Sequence, residues 1–178
     1  MIIDCHGHYT TTPPGVAAWR DAQKEAVAAD PDHISSKGVM TVSDDEIRES
    51  IETNQLRVQQ ERGTDVTVFS PRASWMGHHV GNASTSQAWT EHCNDLIRRV
   101  CDLFPTNFVP VCQLPQSPQT PIGTSITELR RCVEEMGFIG CNLNPDPSGG
   151  YWKDLPLGDK YWYPLYETMC DLDVPAMI

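Results

Sequence analysis

The chain has 178 residues, 39% of them hydrophobic, enough for one domain with a buried core. Its 24 acidic and 13 basic residues give a formal net charge of −11, which excludes nucleic acid and anionic membrane surfaces as partners. No run approaches the roughly 18 apolar residues of a membrane span, and no basic segment followed by a long apolar stretch opens the chain, so a cytoplasmic protein is expected.

Short apolar runs alternate with amphipathic stretches. Ile2 to Cys5 reads as strand one, and a helix follows from Gly15 to about Ala29 behind Pro13-Pro14. Ser43-Asp44-Asp45-Glu46 is a capping box, and its helix runs to about Arg62 and stops at Gly63. Val66 to Phe69 is strand two, and a helix covers about Ser86 to Leu103. Phe108 to Cys112 is strand three, with irregular pairing expected at Pro110. Ser125-Ile126-Thr127-Glu128 reads as a second capping box, with its helix ending at Gly137. Phe138 to Leu143 is strand four, a helix covers about Trp162 to Leu172, and Val174 to Ile178 begins strand five.

Strand–helix alternation at this spacing implies parallel strands with helical crossovers, covered on both faces. An open doubly wound sheet and a (β/α)8 barrel compete. The barrel needs eight units and about 250 residues, and four and a half units are present here. No G-x-G-x-x-G or G-x-x-x-x-G-K-[ST] follows a strand, which weakens the nucleotide-binding version of the open sheet. Ending on the apolar Val174 to Ile178 strand, the chain is expected to be the N-terminal half of a larger protein, or a truncated product of one. The seven cysteines include no C-x-x-C and read as reduced, mostly buried thiols.

His6-Gly7-His8, at the end of strand one, carries the most chemistry. Side chains at i and i+2 on a strand share a face, so two imidazoles can converge on one metal ion. Parallel folds gather their chemistry at the C-terminal ends of strands. That rim reads His6 and His8, then Ser70-Pro71-Arg72, Gln113, Asn142 and Asn144. Arg72 offers a fork for a substrate carboxylate, or is a surface arginine paired with an acid. Adjacent His78 and His79 point apart on extended backbone, so one of them at most, taken as His79, faces the site. Ser74 donates to a substrate oxygen or satisfies a turn. Asn142 and Asn144 either contact substrate or shape the Pro145-Asp146-Pro147 turn. Gly149-Gly150-Tyr151-Trp152 reads as a lid or as aromatic packing on the barrel exterior. No nucleophile motif is present.

Asp4-Cys5-His6-Gly7-His8 after an N-terminal strand resembles the opening of the amidohydrolase superfamily. Ser70-Pro71-Arg72-Ala73-Ser74, Phe138 to Asp146 and Val174 to Ile178 extend the resemblance along the chain. They are most similar to the branch of aminocarboxymuconate-semialdehyde decarboxylase, the resorcylate decarboxylases and, nearest, the 4-oxalomesaconate hydratases. This resemblance implies a distorted (β/α)8 barrel with one divalent metal, zinc. It implies water addition to a carbon–carbon double bond in protocatechuate 4,5-cleavage, a step of aromatic catabolism. His6 and His8 would be metal ligands, and Arg72 would hold a substrate carboxylate; Ser74, His79 and Asn142 stay as the substrate contacts of the rim reading. The family's further metal-binding His just past strand five, and an acidic residue near the barrel's end, lie beyond Ile178. Residues 1–178 alone are therefore expected to be inactive. A decarboxylase or a lactonase on the same scaffold, or a non-catalytic half-barrel needing a partner chain, are the competing readings. The expected partners are a small polycarboxylate and, left open, a second copy of the chain.

Overall fold

The computed structural model describes residues 1–72, 77–118 and 120–178. In chain order the elements are β1 (Ile3–Tyr9), α1 (Pro14–Ala29), α2 (Asp44–Ile51) and α3 (Arg57–Arg62), then β2 (Val66–Pro71), α4 (Ala83–Leu103), β3 (Phe108–Pro110) and β4 (Cys112–Gln113). α5 (Ile122–Arg130), β5 (Cys141–Asn142), α6 (Tyr163–Asp171) and β6 (Ala176–Met177) complete the order. A π-helical turn, Glu52–Leu56, joins α2 to α3, and another, Arg131–Glu135, extends α5.

Every strand pair is parallel, in the orders β1-β2-β3 and β4-β5-β6. Two bonds join these sheets into one wall. Val111 N–H donates to the Phe69 carbonyl at 2.9 Å, and Ile139 N–H donates to the Pro110 carbonyl at 3.0 Å. β3 and β4 are thus one strand interrupted after Pro110, as the missing proline donor predicts. The architecture is a wall of parallel strands with helical crossovers packed on one side, consistent with part of a barrel.

That side holds the core. Phe69 and Phe108 on the wall meet Leu96, Ile97 and Val100 of α4, with Leu129 and Leu165 behind β4 and β5. Each of these is buried, and full burial of such a side chain contributes about 1.5–3 kcal/mol. The opposite face of the wall is open. Val68, Val111, Ile139 and Met177 line an apolar hollow of about 190 Å³, and Ile139 remains 45% exposed.

β1 and β2 approach so closely at Gly7 that a Cβ there would lie 2.2 Å from Thr67 Cγ2. The register also shifts between Asp4 and Gly7, a bulge at Cys5 and His6, and β1 runs past the Ile2–Cys5 expected for strand one, through His6 and His8 to Tyr9. Glycine is therefore required between the two histidines by the neighbouring strand.

The first capping box forms as expected, with Ser43 Oγ accepting from Glu46 N–H and the Glu46 carboxylate accepting from Ser43 N–H. The second does not. α5 starts at Ile122 behind Pro121, so Ser125 lies inside the helix and its hydroxyl donates to the Pro115 carbonyl at 2.8 Å. Glu128 points inward to Asn94 and Arg131. Strand four is also shorter than predicted. Phe138–Gly140 is irregular, and only Cys141–Asn142 pairs as β5. α4 begins three residues before Ser86, capped reciprocally by Asn82 and Thr85.

His78, before α4, is 1% exposed. Its Nδ1 accepts from Gln116 N–H at 3.3 Å and from the Ser86 hydroxyl at 2.8 Å, so the ring proton sits on Nε2. Burial, helped by His79 nearby, pulls its pKa from 6.5 down to about 3. The neutral ring favours the fold fully above pH 6.5. Below 6.5 the unfolded chain takes up the proton first, so stability falls until about pH 3. Between pH 7 and 5 this group should cost about 2 kcal/mol. Urea melts of wild type and His78→Gln at the two pH values check it, and an equal loss in both proteins would exclude His78 as the source.

Candidate metal and substrate site

His6 and His8 extend from the second half of β1 with their Nε2 atoms 2.7 Å apart. The rings meet edge to face, centroids 4.6 Å apart. His8 Nδ1 lies 3.1 Å from the Pro71 carbonyl and 2.7 Å from Ser70 Oγ. A carbonyl can only accept, so Nδ1 carries the proton and Nε2 presents its lone pair toward His6. Ser70 completes the arrangement. Its hydroxyl donates to the Gly7 carbonyl at 3.1 Å and accepts from Asn142 Nδ2 at 2.9 Å. The His8 ring is thus fixed by β2, and through Ser70 by β5. Burial holds the His8 pKa below its ordinary value, and the His6 ring adds to this against the Pro71 carbonyl. A neutral imidazole with an oriented Nε2 is the ligand form for a divalent metal.

The donor set fits half of a metal site. The two nitrogens are close enough for one ion, and a hydrogen-bonded Nδ1–H is the usual support of a ligating histidine. Among the described residues no group of three His, Cys, Asp or Glu side chains could hold a metal ion. Removing the Ser70 hydroxyl leaves Nδ1 with one acceptor and releases Asn142. In the full-length protein, Ser70→Ala should weaken metal binding by about 10–100-fold. Competition with a chromophoric chelator measures this, and an unchanged affinity would rule out orientation through Ser70.

A hollow of about 190 Å³ opens beside the pair, lined by His6, His8, Gln113, Asn142, Asn144 and Met177 among others. Gln113 is 4% exposed, and its Oε1 is buried with no hydrogen-bond partner among the described residues. An unpaired buried group of this kind costs about 1–3 kcal/mol. Asn144 serves the turn. Its Oδ1 accepts from Asp146 N–H at 3.0 Å, and its backbone is paired to the Gln116 carboxamide.

The remaining predicted residues are not all brought to this hollow. Arg72 is exposed one residue past Pro71, beside a narrow cleft with Tyr9, Thr12 and Cys93. His79 is also exposed, on segment 77–80, and its ring packs on Gly149, where a Cβ would lie 2.4 Å from the imidazole. Ser74 lies outside the described residues. Asn142 lines the hollow and holds Ser70. Asp146 accepts the N–H groups of Ser148, Gly150 and Trp152, folding a loop that leaves Tyr151 and Trp152 exposed. Two supporting residues went unread in the sequence: Ser70 as the link between strands, and Asn94, described below.

A family model described as Amidohydrolase matches residues 3–178. The chain is 58% identical over all 178 residues to the 2-keto-4-carboxy-3-hexenedioate hydratase of Sphingobium sp. strain SYK-6, covering 51% of that protein. It is 29% identical over 133 residues to the gamma-resorcylate decarboxylase of Polaromonas sp., which is 70% of this chain and 37% of the relative. The solved structure of 4-oxalomesaconate hydratase from Rhodopseudomonas palustris matches with a TM-score of 0.88 at 49% identity, over 100% of this chain and 52% of that one. A 2,6-dihydroxybenzoate decarboxylase from Rhizobium, 18% identical with a TM-score of 0.65, shares the fold. The chain spans about half the length of the relatives it matches. No helix among the described residues is long and apolar enough to cross a membrane. With the family match running over nearly its whole length, the chain belongs to the amidohydrolase family.

Proposed function

We propose that residues 1–178 form the first half of a distorted (β/α)8 barrel whose complete form is a metal-dependent hydratase of 4-oxalomesaconate. Two features support the half-barrel. Among the described residues β1 and β6 each pair on one side only, and the inner face of the wall is open. One observation carries the chemistry: two histidine Nε2 atoms converge at 2.7 Å in a chain 58% identical to a hydratase. His6 and His8 hold the divalent ion, taken as zinc, together with ligands from the rest of the barrel. Such an ion supplies Lewis acidity, lowering the pKa of water toward about 7 or polarising a substrate oxygen.

This chain's residues position the substrate. The substrate is a conjugated oxo-tricarboxylate, repelled at long range by a net charge of −11, so local cations must seat it. Asn142, which lines the hollow, contacts a substrate oxygen, while Arg72 and His79, which stand outside the hollow, would take a carboxylate and a further oxygen only from its margin, with Ser74 as a further contact. Water adds across the double bond, its oxygen to one carbon and a proton to the adjacent carbon. The general base belongs to the second half, and the site of action is the cytoplasm, in keeping with seven free cysteines. The 29% match to a decarboxylase supports a second reading, carbon dioxide release from an aromatic or muconate-type acid. Full-length protein with oxalomesaconate separates the two. Loss of the conjugated absorbance without carbon dioxide supports the hydratase. Carbon dioxide release, or an unchanged spectrum, overturns it.

A further inference from the structure

Gln116 lies on the connection after β4 and is 3% exposed. Its side chain pairs with the Asn144 backbone as a neighbouring strand would. Gln116 Oε1 accepts from Asn144 N–H at 2.8 Å, and Gln116 Nε2 donates to the Asn144 carbonyl at 3.2 Å. Both ends of a buried carboxamide are thereby bonded to one residue, and a satisfied buried polar group of this kind holds its partner rigidly. Asn144 and the following Pro145 line the hollow beside His6 and His8.

The contacts close into a ring. Gln116 N–H donates to His78 Nδ1 at 3.3 Å, and His78 is fixed on α4 by the Ser86 hydroxyl. The next residue, His79, lays its ring on Gly149, where φ is +78° and no room is left for a Cβ. Gly149 belongs to the loop folded on Asp146, whose carboxylate accepts from Ser148, Gly150 and Trp152 N–H. Asp146 N–H donates to Asn144 Oδ1 at 3.0 Å, which returns the circuit to Gln116. The ring joins the connections after β2, β4 and β5, and its hydrogen bonds lie apart from those of His6 and His8. We propose, resting on the hydratase reading, that Gln116 is a positioning residue. Through this ring it orders the margin of the hollow, with His79 and Asn144, to receive the part of a polycarboxylate remote from the metal. It touches no reacting atom. A margin already ordered saves the bound molecule the entropy of ordering it.

The test uses the full-length, metal-loaded protein and tricarballylate, an unreactive tricarboxylate. Gln116→Leu removes both bonds to Asn144 and should weaken tricarballylate binding about tenfold. Gly149→Ala opens the ring at a second place, with Gln116 untouched, and should do the same. Because either break loosens the same margin, the double variant should fall well short of the product of the two, about 100-fold. In hydration each single variant should raise KM about tenfold with kcat within threefold, since binding lost equally from substrate and transition state leaves kcat unchanged. Metal affinity should stay within twofold of wild type. A merely structural Gln116 would instead lower metal content and kcat together at unchanged KM. Wild-type affinity for tricarballylate in either folded single variant, a fully multiplicative double variant, or a wild type that does not bind tricarballylate overturns the assignment. If Gln116→Leu does not fold, Gly149→Ala alone decides. If the variants lose tricarballylate but wild type hydrates nothing, the hydratase reading fails and the ring stands.

Discussion

On the proposed hydratase reading, replacing His8 with alanine should strip the metal from the full-length protein and lower hydration by at least about 10³-fold. The magnitude follows from what the ion supplies: moving the pKa of water from 15.7 to about 7 raises the hydroxide available at neutral pH by many orders of magnitude. His6 alone cannot hold an ion that takes at least three protein ligands in catalytic sites. Removing His8 also frees the Ser70 hydroxyl and the Pro71 carbonyl from their ring partner. His8 is only half-buried at an open rim, so the fold should keep its melting temperature within a few degrees. Elemental analysis of the purified variant and a single-wavelength rate assay are sufficient. One metal per chain with a rate within tenfold of wild type would remove His8 from the ligand set. His6→Ala should behave alike, because His6 Nε2, 2.7 Å from His8 Nε2, would be the other ligand from this pair.

The His pair was legible because its signal is local: two side chains at i and i+2 share a face in any strand, whatever the tertiary structure. The parallel architecture was legible for a similar reason, since apolar runs and helical periodicity are properties of short windows. The S-x-x-E pattern at Ser125 misled because residues three apart on a helix also share a face. The spacing that caps an N-terminus equally serves two side chains turned inward, and Pro121 had already set the start. Ser70 and Asn94 were illegible for the opposite reason. Ser70 acts on residues 62, 63 and 72 positions away, and Asn94 acts on a strand 19 positions on. Nothing within a few residues of either marks that role. Arg72 follows β2 directly, yet neither it nor His79 lines the His6–His8 hollow. Position at a strand end gives the rim but not the side-chain direction once the chain has left the strand.

The second large effect lies behind the wall. Arg131→Met should destabilise the full-length protein by about 3–5 kcal/mol and lower the melting temperature by about 10 °C. Glu128 is 4% exposed, and the Arg131 guanidinium meets both its oxygens, at 2.8 and 2.7 Å. Arg131 also reaches Asp95 at 2.8 Å, and Asp95 takes Lys37 at 2.6 Å, so four charges run from the buried helix face to the surface. The hydrogen bonds to Glu128 raise the Arg131 pKa against the effect of its own burial. Without the guanidinium the carboxylate stays buried with only the Asn94 amide and a Cys132 thiol as neutral partners. The surface pair Arg130–Glu134 is the control. Both partners are at least 42% exposed, and its loss should cost less than about 1 kcal/mol. Adding Glu128→Gln to Arg131→Met should recover much of the loss, because the neutral amide no longer needs a cation. An Arg131→Met that melts like Arg130→Met would show that Glu128 is solvated despite its burial. Because Asn94 joins Glu128 to the Gln113 backbone, the loss in the single variant should reach β4, and the double variant should restore its pairing together with stability.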